Sequence, residues 1–101
     1  STDPSAFFRI ATESMCMLLA DRVVDASSPS RYSSLQSEAA IDDFVATIMT
    51  LLPSDPRSSE ARQILREHFA AAKSSGASAS EALKSTFTLA CASPSSVIMG
   101  L

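Results

Sequence analysis

Apolar residues recur along this chain at spacings of three and four, the period that gathers side chains on one face of an α-helix. The first run, Phe7, Phe8, Ala11, Met15, Leu18, Leu19 and Val23, predicts a helix ending near Asp25. Asp3-Pro4 ahead of it reads as an N-cap followed by proline at the first helical position. Ala26 to Arg31 is rich in serine and proline and reads as a loop. The second run is the most regular: Ile41, Phe44, Val45, Ile48, Met49 and Leu52. Ser33 and Gln36 have capping-box spacing at its start, and Pro53 is the expected stop.

Asp55-Pro56 repeats the opening cap signature and leads into a third helix with Ala61, Ile64, Leu65, His68, Phe69 and Ala72 on one face. Gly76 suits the left-handed position after its end. Ser78 and Glu81 form a second capping box, opening a fourth helix with Ala82, Leu83, Phe87, Ala90 and Cys91. Pro94 disfavours helix at the residue before it, so this helix should end by Ser93. Val97, Ile98 and Met99 are expected to close one end of the core. Connections of roughly 3 to 8 residues favour antiparallel neighbours. The predicted fold is all-α, a four-helix antiparallel up-down bundle with a short C-terminal turn.

Length and composition agree with one domain over residues 1–101. A domain of this size buries about two thirds of its unfolded surface, enough for a single core. Hydrophobic residues make up 46% and charged residues 19% of the chain, and only two glycines occur. The chain opens on Ser1 and not methionine, which reads as a mature form or a piece excised from a longer protein. Eight Lys and Arg are dispersed among eleven acids, for a net charge of −3. Phosphate attraction needs clustered cations, so no nucleic-acid partner is expected. The longest apolar run, Met15 to Ala20, is far short of the ~18 residues that span a bilayer.

The only two cysteines, Cys16 and Cys91, fall on the first and fourth helices. Counted from the facing helix ends they are out of register by about five residues, or roughly 7 Å. A disulfide is therefore open but not required, the alternative being two buried thiols that pack as small hydrophobes. If formed, it would close a loop of about 75 residues and contribute about 4 kcal/mol. Two cysteines without a Cys-x-x-Cys pair give no structural zinc site and no covalent haem attachment, and no metal is expected.

His68, the sole histidine, sits on an apolar stripe, where an imidazole is ordinarily packed with one hydrogen bond. It is also the one candidate cofactor ligand, with Met15, Met49 or Met99 as its partner. A catalytic triad needs three groups set around an oxyanion hole. Here the serines sit at caps and loops, and Asp42 and Asp43 point about 100° apart on a helix. The expectation is no enzyme and no bound cofactor. Tyr32 and Arg31, in the longest loop, have the residue types of a partner anchor. The plainer reading folds Tyr32 back as a lid on the bundle end.

Residues 54–101 carry a further pattern. Ser54-Asp55-Pro56 leads into a helix with Leu65 and Phe69. Ala70-Ala71-Ala72, Gly76-Ala77-Ser78, Glu81-Ala82-Leu83-Lys84, Phe87 and Ala92-Ser93-Pro94 follow, then Val97 and Ile98. This half of the chain resembles helical segments of large secreted cytochrome-associated proteins of planctomycetes and myxobacteria, the PSCyt/PSD-type group. It departs from them in lacking a haem motif and an aromatic directly after Ser93-Pro94. The resemblance implies an exported bacterial protein and an oxidising compartment for the cysteines. It carries no site residue across.

Two functions follow as expectations. The first is a non-catalytic helical interaction or assembly domain of a periplasmic or secreted bacterial protein, binding a protein partner or other domains of its own chain. The second is a redox accessory module associated with haem proteins through His68. A cytoplasmic helical adaptor is the alternative location and role. Leu35, Leu51, Thr88 and Leu89 are extra apolar positions that either pack the C-terminal tail or make a dimer face, so a monomer or a dimer is expected.

Overall fold

The computed structural model of the chain describes residues 4–27 and 30–97. Four helical segments form the fold: α1 (Pro4–Val23), α2 (Ser37–Asp43), α3 (Pro56–Ser74) and α4 (Ala79–Cys91). Among the described residues there is no strand, only one isolated bridge between Val24 and Tyr32. Asp3 and the Phe7 side chain lie outside the described set, as do Ile98 and Met99.

The caps that depend on neighbouring residues form as read. Asp55 accepts from the Arg57 amide with Pro56 in the first turn, and Ser78 and Glu81 complete a capping box. Gly76 takes φ +104 just past α3. Ser33 differs: its hydroxyl accepts from Leu35, not Gln36, because the chain opens with a single 3-10 turn, Ser34–Gln36, before α2.

The second helix is also shorter than expected. After α2 the turns widen over Phe44–Ile48, where Met49 donates to the Phe44 carbonyl five residues back. Thr50 then adopts φ 56 and the helix is over before Pro53. The cause is tertiary: Leu51 turns into the core, 5% exposed, and its amide donates to the Val45 carbonyl. Leu52, counted on the stripe, is left in solvent.

α4 is the central helix, touching α1, α2 and α3. Among the described residues α1 packs on no other helix. Ion pairs give the directions. Arg62 meets Asp42 at 2.9 Å and Arg66 meets Glu38 at 3.0 Å, so α2 and α3 run antiparallel. Lys84 meets Asp21 at 3.2 Å, and Cys16 faces Cys91, so α1 and α4 do as well. The same pairs place the last residue of α1 level with about Leu83, and the first turn of α4 runs past the end of α1. That overhang absorbs the register offset expected between the two cysteines.

The core is an aromatic cluster ringed by aliphatics. Phe44 meets Tyr32 edge-on at 4.8 Å and Phe87 edge-on at 5.4 Å. Tyr32 closes the end of the bundle as a lid. Its hydroxyl donates to Asp43 at 2.6 Å, and Asp43 also accepts from Thr47 and Arg31. At the other end Val97 does not close the core: it is half exposed, and its neighbour Ser96 is the buried residue. The Val97 amide instead donates to the Ile48 carbonyl, holding the C-terminal turn against the second helix.

Acid sensitivity follows from four carboxylates held below their ordinary values: Asp25 by hydrogen bonds from Ser34, Glu81 by hydrogen bonds from Ser78, and Asp43 and Asp55. Burial pushes the Asp43 carboxyl up, but the Tyr32, Thr47 and Arg31 hydrogen bonds outweigh it and hold the group below its ordinary 3.8. Arg57 side-chain and backbone hydrogen bonds draw Asp55 down to about 2. A depressed carboxylate stabilises the fold above its unfolded value, and that contribution is lost as pH falls through the folded value. The urea midpoint is therefore expected to hold steady from neutral pH down to about 4 and to fall between about 4 and 2. Asp43→Asn should lower the midpoint at neutral pH and flatten part of that acid slope. An acid slope unchanged by this substitution would show that the Tyr32–Asp43 bond does not form.

Candidate functional site

The α1–α4 seam is built from small side chains. Thr12, Cys16 and Ala20 recur every four residues on α1 and are buried against α4, with Val24 continuing the line beyond the helix end. Leu19 and Val23 flank it, half-buried. The Thr12 hydroxyl would be costly to bury without a partner, and it donates to the Phe8 carbonyl at 2.8 Å. Within this seam Cys16 and Cys91 form a disulfide, with Cα atoms 5.8 Å apart and both residues fully buried.

This geometry corrects the predicted face of the first helix. Phe8, Ala11, Met15 and Leu18, read as core, point outward. A row of small residues lets two helix backbones approach closely, and the disulfide fixes which face turns inward. The larger apolar residues are displaced to the flanks. Phe8 is 60% exposed and Leu18 67% on one flank; Ile10 is 65% and Met17 60% on the other. A helix that is apolar on nearly every side is ordinarily buried. Here α4 covers one side of α1, and five of the ten exposed large hydrophobic residues among the described residues lie on this one helix.

On the Met17 flank α1, α3 and α4 enclose a groove of about 490 Å³, with Met17, Ala20, Leu89 and Ala92 as its apolar lining. His68 borders it, and its Nε2 lies 2.7 Å from the Ser85 hydroxyl. Of the residues considered as partners to His68, Met15 is on the opposite flank of α1, Met49 packs against the core and Met99 lies outside the described set. Met17, not singled out by the sequence, is the methionine that shares the groove. Ser85 lies within α4 and borders the same groove.

Tyr32 and Arg31 border a smaller hollow of about 310 Å³. Tyr32 is spent on the core, and Arg31 reaches Asp43 at 3.3 Å. Of the extra apolar positions, Leu51 enters the core, Leu89 lines the groove and Leu35 stands in solvent, 92% exposed.

No helix among the described residues is long and apolar enough to cross a membrane. Comparison with protein-family models, curated proteins and solved structures yields no match to this chain. Fold and surface together define a disulfide-crosslinked all-α domain with one outward apolar helix.

Proposed function

We propose that this chain is a non-catalytic helical interaction domain of an exported bacterial protein, binding through the outer surface of α1. The observation that carries the reading is the bare apolar surface of α1 on a helix anchored at mid-length by a disulfide. Exposed apolar area concentrated on one element marks an interaction surface, whereas scattered single residues do not. The anchor supplies rigidity, which lowers the ordering cost of binding. A buried disulfide fits an oxidising compartment, and the resemblance of residues 54–101 to secreted bacterial proteins points the same way.

Methionine oxidation tests the surface. In dilute protein, peroxide should convert Met15 and Met17 quickly and Met49, packed against the core, slowly. Equal protection of all three would show that α1 is covered by the domain itself, and the reading would fail. Thiol titration under denaturing conditions tests the compartment. Protein alkylated at harvest should contain no free thiol, and two would place it in a reducing environment.

A further inference from the structure

The exposed residues on the far flank of α1 form a seam with its own periodicity. Phe8, Ala11, Met15, Leu18 and Arg22 follow one another at alternating spacings of three and four, the repeat by which two helices pack side by side. The seam is about 21 Å long and carries no charge before Arg22. We propose that it is a self-association surface, through which two copies of this chain pair by antiparallel α1 helices. The proposal rests on the interaction-domain reading and names its partner.

Three features favour a second copy. Size matches size: a two-fold axis beside Met15 sets Leu18 of one copy over Ala11 of the other, at both ends of the contact. Charge also selects this direction. Antiparallel pairing separates the two Arg22 side chains and lays each against the Phe8 ring of the other copy, where a guanidinium is attracted to the aromatic face. Parallel pairing would set Arg22 on Arg22 and leave a gap between facing Ala11 residues. Area sets the strength. At 150–250 Å² for an aromatic and somewhat less for an aliphatic side chain, the exposed fractions along the seam come to roughly 350 Å² per copy. With a polar rim the pair would bury about 1,000 Å² in total, the lower bound for a specific contact and suited to a reversible dimer.

Sedimentation of the 101-residue chain between about 10 µM and about 1 mM tests the pairing. The weight-average mass should rise from 10.6 kDa toward twice that value. Leu18→Glu, at an exposed position that leaves the core intact, should hold the chain monomeric with an unchanged circular dichroism spectrum. Adding Ala11→Lys should restore association, because in the antiparallel register each new carboxylate faces a new amine. Met15 lies on the seam and Met17 about 160° around the helix. Pairing should therefore slow Met15 oxidation by at least about threefold and leave Met17 unchanged. A monomer throughout the range, or a dimer indifferent to Leu18→Glu, overturns the pairing. If the monomer still oxidises rapidly at both methionines, the interaction-surface reading survives; if neither reacts, that reading falls too.

Discussion

Replacing Phe44 with alanine is expected to destabilise the domain by about 4 kcal/mol, the range for emptying a buried aromatic site. Phe44 has no solvent exposure and stands between Tyr32 and Phe87, so its ring joins the lid to the central helix. Its loss removes two edge-to-face contacts, each worth about 1 kcal/mol beyond area, and leaves a cavity that the helices cannot close without shifting α4. For a chain of this length about 4 kcal/mol corresponds to a fall in Tm of roughly 15–30 °C. Urea denaturation of Phe44→Ala beside Leu35→Ala checks this directly. The exposed Leu35 should change stability by no more than about 0.5 kcal/mol. Equal effects would mean that the aromatic cluster is not the core.

Removing the crosslink is the second large effect. Cys16→Ala with Cys91→Ala frees a loop whose ends are 75 residues apart in sequence. The loss is expected to be about 4 kcal/mol by chain entropy. Its distribution is more informative than its size. Among the described residues α1 meets only α4 among the helices, so the remaining attachment is a narrow row of small side chains flanked by Leu19 and Val23, the bond from the Tyr32 amide to the Val23 carbonyl at the helix end, and one exposed ion pair, Lys84 with Asp21, of little worth. The aromatic cluster does not involve α1. The variant should therefore keep a cooperative core of α2, α3 and α4 while α1 loosens. Equilibrium unfolding should show a lower midpoint and a smaller m value, because less surface remains to be exposed.

These expectations show which parts of the structure could be read from residues alone. Asp55-Pro56, Ser78 with Glu81, and Gly76 form as read because each depends on atoms within a few residues. The second helix ends where tertiary packing ends it. Pro53 is a strong local stop, yet Leu51 is drawn into the core first, through the left-handed turn at Thr50. The widened turn over Phe44–Ile48 is invisible to a 3.6-residue period. α1 was the least legible element, because apolar residues occupy most of its circumference and several stripes fit the same spacing. The deciding signal was present in Thr12, Cys16 and Ala20. Once Cys16 is taken as bridged, that small-residue face must turn inward and Met15 and Leu18 outward. The sequence left the bridge between the two cysteines open, and the structure closes it; the surface that the bridge creates was readable only after the pairing was known.

Hydrogen exchange of the oxidised and reduced protein tests most directly whether the disulfide holds an apolar helix with its outer surface bare. In the oxidised domain the amides of α1 from Thr12 to Val23 should be protected to a degree comparable with α4. After reduction, protection in α1 should collapse toward that of a free peptide while α3 and α4 retain theirs. Protection of α1 that survives reduction, or that disappears from α1 and α4 together, would contradict this structure of the domain.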